Sequence, residues 1–156
     1  MKIYLVRHGE AVSEDVAGSD RDRWLNERGR QHARGLAKLL RENNVELDAI
    51  LSSPLPRAVQ TAERLADGLD YLGTIETLRA LEPAAQPRVA MQELVTRGRS
   101  VMVVGHEPNI SSLGALILGL PAFQPFRTAQ CCAIENGQPV FLARADLMQV
   151  VAMFRE

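Results

Sequence analysis

The sequence has almost no net charge, no long apolar run, two cysteines and three histidines, and each scarcity removes a class of protein. Eighteen Lys and Arg against nineteen Asp and Glu leave a formal charge of −1. That balance gives no electrostatic reason to expect nucleic acid or an anionic membrane as partner. No uninterrupted apolar stretch approaches the ~20 residues that cross a bilayer. The first residues run straight into a strand pattern, without the charged-then-apolar layout of a signal peptide, so a cytoplasmic location is expected. Cys131 and Cys132 are neighbours. Adjacent cysteines rarely bridge each other, and a pair without further ligands makes no zinc site. Both are expected to pack on a strand, one facing in and one facing out. Repeats, low-complexity tracts and long linkers are missing too. The 156 residues, 46% hydrophobic and 24% charged, therefore read as one soluble domain, 1–156, with a proper core.

What the sequence does have is alternation. Residues 1–6 read as a buried strand, since Ile3, Leu5 and Val6 are aliphatic or β-branched and Tyr4 suits a pleated surface. Further strands are predicted at 48–51, 74–78 and 100–104. Two more, at 129–135 and 139–145, flank Asn136-Gly137, a turn signal that favours an antiparallel hairpin. A helix is predicted over 26–43, with Asn26 as N-cap and Ala33, Leu36, Ala37 and Leu40 on one face. A second covers 55–69, with Ser53 as N-cap and Pro54 or Pro56 in its first turn. A third covers 87–96, and a fourth follows Pro108 and ends near Gly119. Residues after Asp146 fit either a short helix or a further extended segment. The pattern predicts a three-layer α/β/α sandwich with a mainly parallel sheet and an antiparallel edge near Asn136-Gly137.

Three of the strand ends carry the informative residues. The first delivers Arg7-His8-Gly9, the second Ser52-Ser53-Pro54 and then Arg57, and the strand at 100–104 delivers Gly105-His106-Glu107. In open α/β sheets the carboxyl edge is where ligands bind. Two arginines and two histidines at that edge, in a chain with three histidines, suit a phosphoryl group. A guanidinium fork pairs two phosphate oxygens, and a neutral imidazole nitrogen can attack phosphorus. Arg57, in the first turn of a helix, adds the partial positive charge of the helix amino terminus.

These residues resemble the histidine phosphatase superfamily, whose mark is Arg-His-Gly at the end of the first strand. The likeness continues through Trp24-Leu25-Asn26-Glu27-Arg28-Gly29, Ser52-Ser53-Pro54 with Arg57-Ala58 and Gln60-Thr61-Ala62, and Val104-Gly105-His106-Glu107-Pro108. It runs to about Leu120, and little of it lies beyond Pro121. The short chain is similar to SixA-type phosphohistidine phosphatases rather than to the longer phosphoglycerate mutases and acid phosphatases. The resemblance implies a phosphoglycerate mutase-like fold and a metal-independent phosphatase. It assigns His8 as nucleophile, with Arg7, His8, Arg57 and His106 binding phosphate, and it implies no metal and no cofactor. The implied substrate is phosphohistidine in a protein such as a phosphotransfer domain. A small phosphorylated molecule is the alternative within the same chemistry. A catalytically silent phosphoprotein-binding module is the alternative from another class.

Chemistry adds further expectations. His8 must be neutral at its attacking nitrogen, with a backbone carbonyl near Gly9 accepting from the other. A protonated His106 can bond a transferring oxygen. Glu82, Glu10 and Glu107 are the candidate general acids, with Glu82, in Leu81-Glu82-Pro83, expected nearer the rim than the phosphate centre. Glu10 and Glu107 read first as loop carboxylates that orient neighbours. The pocket is expected to be positively charged. His32 is expected to face solvent, and Trp24 to anchor the loop 11–25. Ser13 reads as a loop serine with a possible phosphate-side hydroxyl, and Asp20 and Arg23 as a local pair.

Overall fold

Strand β1 (Lys2–Arg7) shows why the sheet is covered on both faces. Its alternate residues Ile3 and Leu5 pack into one apolar cluster, and Tyr4 and Val6 into another. Strand β4 (Ser100–Gly105) repeats the alternation, with Val101 and Val103 on one side and Met102 and Val104 on the other. The computed structural model describes residues 1–153. Its order is β1, α1 (Glu14–Ala17), α2 (Glu27–Glu42), β2 (Ala49–Ser52), α3 (Pro56–Gly68), β3 (Ile75–Thr77), a 3₁₀ turn (Arg79–Leu81) and α4 (Pro87–Leu94). There follow β4, α5 (Asn109–Leu118), β5 (Gln130–Glu135), β6 (Gln138–Arg144) and β7 (Gln149–Ala152). One seven-stranded sheet runs β3-β2-β4-β1-β5-β6-β7. Helices α2 and α3 cover one face through Leu36, Leu40, Ala58, Ala62 and Leu65. Helices α4 and α5 cover the other through Ala90, Leu94, Ile110 and Leu113. This is the expected three-layer sandwich.

The sheet has two halves. Strands β3, β2, β4 and β1 are parallel, whereas β5, β6 and β7 run antiparallel beside β1. The antiparallel part is therefore wider than a hairpin. The segment after Asp146 settles as extended chain, with β7 pairing β6; residues 154–156 lie outside the described residues. Asn136 and Gly137 both have positive φ, 50° and 74°, as a type I′ hairpin requires. Among the described residues no helix is long and apolar enough to cross a membrane.

Several local expectations change. Cys131 and Cys132 do point to opposite faces, but both are fully buried because both faces are covered. Trp24 is 40% exposed and ties the loop through its carbonyl, which accepts from Val12 N at 2.8 Å; the fully buried side chain is that of Leu25, which an isolated bridge joins to Ala11. Ser13 caps the short α1, accepting from Val16 N at 3.3 Å. His32 is half-buried rather than solvent-facing. Asn26 caps α2 as expected, accepting from Gly29 N at 2.8 Å. Ser53, however, does not cap α3. Leu55 occupies that position without a side-chain bond, and Pro56 opens the helix.

Candidate active site

The parallel half brings three strand ends into line. In register, Arg7 of β1 lies beside Gly105 of β4, and Ser52 of β2 beside Val104. The alignment continues one residue further, with His8 N donating to Gly105 O at 3.1 Å and Ser53 N to Val104 O at 3.0 Å. Arg7, His8, Arg57 and His106 thereby line one cleft of about 330 Å³. Close packing holds the first loop in place: any side chain at Gly29 would collide with the Glu10 carbonyl, so α2 lies directly against it. Thr61 of α3 ties the loop from below. Its hydroxyl accepts from Gly9 N at 3.0 Å and donates to Arg57 O at 2.7 Å.

His8 is 7% exposed, and its ring Nδ1 sits 2.7 Å from the Gly9 carbonyl. A carbonyl accepts only, so Nδ1 carries the hydrogen and Nε2 keeps a lone pair. Burial lowers the His8 pKa to about 4, with the charges of Arg57, Arg7 and Arg23 adding to it and the Gly9 bond opposing. At neutral pH His8 is therefore an uncharged base. His106 packs beside it, ring centroids 5.0 Å apart. Burial takes its pKa to about 3, helped by His8 and Arg57 and opposed by Asp20. Burial beside another imidazole and two guanidinium groups thus disfavours the protonated form of His106.

The guanidinium groups are held by neighbouring loops. Arg7 Nη1 donates to Phe126 O at 2.9 Å, and Glu107 Oε1 accepts from Phe126 N at 3.2 Å. One peptide segment thus fixes an arginine and a carboxylate together. Arg57 is 4% exposed; its Nη1 donates to Asp20 O at 2.8 Å, and its Nη2 lies 3.4 Å from Asp20 Oδ2. The Nε atoms of Arg7 and Arg57, and His106 Nδ1, are buried without a protein partner. Leaving a buried polar atom unmatched costs about 1–3 kcal/mol, so the site favours an anion that engages these side chains.

The cleft is not simply positive. Arg7, Arg23 and Arg57 line it together with Glu10, Asp20 and Glu107. Glu10 accepts from Asn26 Nδ2 at 3.0 Å, and Glu107 accepts from Ser111 Oγ at 2.8 Å. Both are therefore engaged with neighbours. Asp20 bridges two arginines, its Oδ1 3.2 Å from Arg23 Nη1, and those partners hold its carboxyl below the usual range. The sequence reading missed Asp20 and Arg23 as cleft residues; their i,i+3 spacing signalled the local pair but not the reach back to Arg57. Glu82 does not line the cleft. Its carboxylate pairs with Arg21 at 3.0 Å, and the next residue, Pro83, forms the wall instead. Asn109 Nδ2 secures that segment by donating to the carbonyls of Glu82, Pro83 and Ala85 at 2.9–3.0 Å. Among the described residues, no three His, Cys, Asp or Glu side chains gather to hold a metal ion.

The model of the histidine phosphatase superfamily (branch 1) matches residues 3–82, which contain three of the four central side chains. The chain belongs to the histidine phosphatase superfamily. Among curated members, phosphohistidine phosphatase SixA of Escherichia coli (strain K12) is 34% identical over 148 residues, 90% of this chain and 91% of its own length. A solved structure of the protein histidine phosphatase SixA complexed with tungstate superposes with a TM-score of 0.85 at 25% identity. That match covers 96% of this chain and 100% of the other. The phosphoserine phosphatase of Entamoeba histolytica, 18% identical with a TM-score of 0.67 over 89% of this chain and 93% of its own, shares the fold. Membership in the superfamily together with the likeness to SixA over 90% of this chain makes it a phosphatase.

Proposed function

We propose that this chain is a phosphohistidine phosphatase: one unit that takes the phosphoryl group from a phosphohistidine-bearing protein through a covalent adduct on His8, with no metal or cofactor. The observation that carries the reading is the His8 ring. Its Nδ1 is bound to the Gly9 carbonyl, and its free Nε2 is uncharged at neutral pH beside two arginines. In the first step Nε2 forms a bond to phosphorus as the substrate's P–N bond breaks. The substrate imidazole leaves with the electron pair, neutral if its far nitrogen already carries a proton. In the second step water attacks phosphorus, the P–N bond to His8 breaks, and inorganic phosphate departs after losing a proton to solvent or a neighbouring base. Arg7 and Arg57 balance the charge spread over the transferring oxygens in both steps.

The carboxylates support the substrate class. Glu82 is engaged by Arg21 outside the cleft, and Asp20 is held ionised by Arg23 and Arg57. Neither is poised to donate a proton to a departing alkoxide, and the cleft carboxylates Glu10 and Glu107 are engaged by Asn26 and Ser111. Imidazole departs far more readily than an alkoxide, so a site built this way favours a phosphoramidate over an alkyl phosphate ester. The relationship to E. coli SixA, which carries phosphohistidine phosphatase in its name, points the same way. The test compares hydrolysis of a phosphohistidine-bearing phosphotransfer domain with a panel of phosphate monoesters. The expected result is a kcat/KM preference for the phosphoprotein, with activity surviving chelators. Faster turnover of a small monoester overturns the substrate assignment.

A further inference from the structure

The hydroxyl of Ser53 is diverted from the helix it precedes. A serine just before Pro54-Leu55-Pro56 reads as an N-cap, yet α3 starts without one, and Ser53 Oγ lies 2.8 Å from His106 Nε2. Ser53 is fully buried, so its hydroxyl proton must find an acceptor inside the protein. The other group at Oγ is Leu55 N at 3.2 Å, which is itself a donor. His106 Nε2 is the acceptor that remains. A ring nitrogen that accepts carries no hydrogen, so in neutral His106 the hydrogen sits on Nδ1. Nδ1 is also the atom left buried without a protein partner, in a ring that packs against His8 and lines the same cleft.

We propose that Ser53 is a positioning residue that sets the tautomer of His106, so that His106 serves as a neutral Nδ1–H donor to the phosphoryl group rather than as a cation. The proposal rests on the phosphatase reading of the site and adds a role to a residue outside its four central side chains. It has a physical advantage. A neutral donor stabilises charge developing on a phosphoryl oxygen without requiring a proton that the neighbouring arginines disfavour. The fixed hydroxyl also keeps the ring from turning or switching its hydrogen, so the donor is already oriented when substrate arrives. The location of Ser53 explains how this is possible. The backbone of residue 53 is pinned to β4 through Val104 O, one strand away from the β4 end that carries His106.

The test is a long-range ¹H–¹⁵N spectrum of the full-length protein at pH 7, with and without inorganic phosphate, for wild type, Ser53→Ala and Ser53→Thr. In wild type, His106 is expected to show a protonated Nδ1 and an unprotonated Nε2, and phosphate is expected to shift the Nδ1 proton. Ser53→Ala is expected to populate the Nε2–H tautomer and to lower kcat on a phosphohistidine protein by about 10-fold, with a smaller change in KM. Ser53→Thr, which keeps the hydroxyl, is expected to restore both. A wild-type spectrum showing Nε2–H or imidazolium overturns the proposal without any variant. So does an unchanged tautomer in a folded Ser53→Ala protein. The substrate reading fails separately: wild type with the stated tautomer and phosphate response, but no turnover of phosphohistidine, refutes that reading and supports the assignment to Ser53.

Discussion

The two halves of the sheet both feed the apolar clusters, but they are unequally buried and unequally equipped. In the parallel half, β2, β4 and β1 all run the same way, so all three carboxyl ends open at one edge and add their side chains to one cleft. In the antiparallel half, β5 and β6 are joined by the Asn136-Gly137 turn, and successive ends fall at opposite edges. That half contributes Thr128 to the cleft wall and, just upstream of β5, the Phe126 backbone that holds Arg7 and Glu107. Parallel strands concentrate chemistry; antiparallel strands here supply a wall and a brace. Replacing residues in the two halves should separate catalysis from stability.

The largest effect belongs to His8. His8→Ala is expected to lower kcat by about 10⁴-fold or more, because the covalent step has no substitute, while phosphate still binds to the arginines. Rapid quench of wild type with labelled substrate should trap an acid-labile, base-stable adduct that the variant lacks. Near-normal turnover by the variant would mean direct attack by water. Next comes Arg57→Ala, expected to lose about 10²–10³-fold in kcat/KM, since a guanidinium facing a transferring phosphoryl acts more strongly in the transition state than in the bound substrate. Kinetics in which only KM rises would show that Arg57 merely binds.

Acid should weaken the parallel half first. His8 and His106 are buried neutral, with pKa values of about 4 and about 3 against an ordinary value near 6.5. Below pH 6.5 the unfolded chain takes up protons at these positions and the folded chain does not. Their stabilising contribution is therefore full above pH 6.5 and is lost as pH falls through the folded values. Urea unfolding should show a loss of about 3–5 kcal/mol between pH 7 and pH 4.5. Turnover should also decline as His8 protonates. A flat stability profile over that range would mean that the two rings are better solvated than their burial implies.

Much of this comparison is legible in the sequence, for a reason that also marks its limits. Arg7-His8-Gly9 and Gly105-His106 end or follow continuous aliphatic runs and Arg57 opens the helix after a third, so periodicity places them at one edge once parallel topology brings the strand ends together. The loop 11–25 has no such period. Nothing in its pattern tells that Asp20 reaches Arg57, that Arg21 pairs Glu82, or that Leu25 rather than Trp24 is the buried anchor. Ser53 was readable as a cap from local chemistry, and a tertiary partner, His106, claimed its hydroxyl instead. The tail was ambiguous because β7 exposes Gln149, Val151 and Ala152 and half-buries Val150 alone, a pattern too weak to set a strand apart from a helix.

Asp20 sharpens the comparison from inside the cleft. It neutralises part of the charge on Arg57 and Arg23 in the site that must receive a phosphate dianion. Asp20→Asn keeps the backbone carbonyl bond to Arg57 Nη1 and removes one negative charge. Inorganic phosphate is then expected to bind about 5-fold tighter, close to 1 kcal/mol, the scale of a half-exposed charge pair. Isothermal titration at low and high salt measures it, and the gain should shrink as salt rises. Weaker binding would instead make Asp20 a support for the Arg57 fork.

The smallest effect on activity should come from the hairpin. Asn136 holds φ of 50°, and its Oδ1 accepts from the Met1 amino group at 2.7 Å while its own N–H donates to Met1 O at 3.0 Å. These bonds clamp the start of β1 at the edge opposite the cleft, where Lys2 pairs Glu135. Asn136→Ala forces an alanine into the left-handed region and removes the side-chain bond, which together should cost about 1–2 kcal/mol of stability. The carboxyl end of β1 is held separately, through Arg7 and Gly105 and through His8 N to Gly105 O. Six residues of paired strand therefore insulate the cleft from the turn, and kcat should stay within about 2-fold of wild type at temperatures where both remain folded. Thermal melts and turnover on the same samples provide the comparison. A fall in kcat as large as that of Ser53→Ala would mean that strain travels along β1, and that the antiparallel half does more than brace the site.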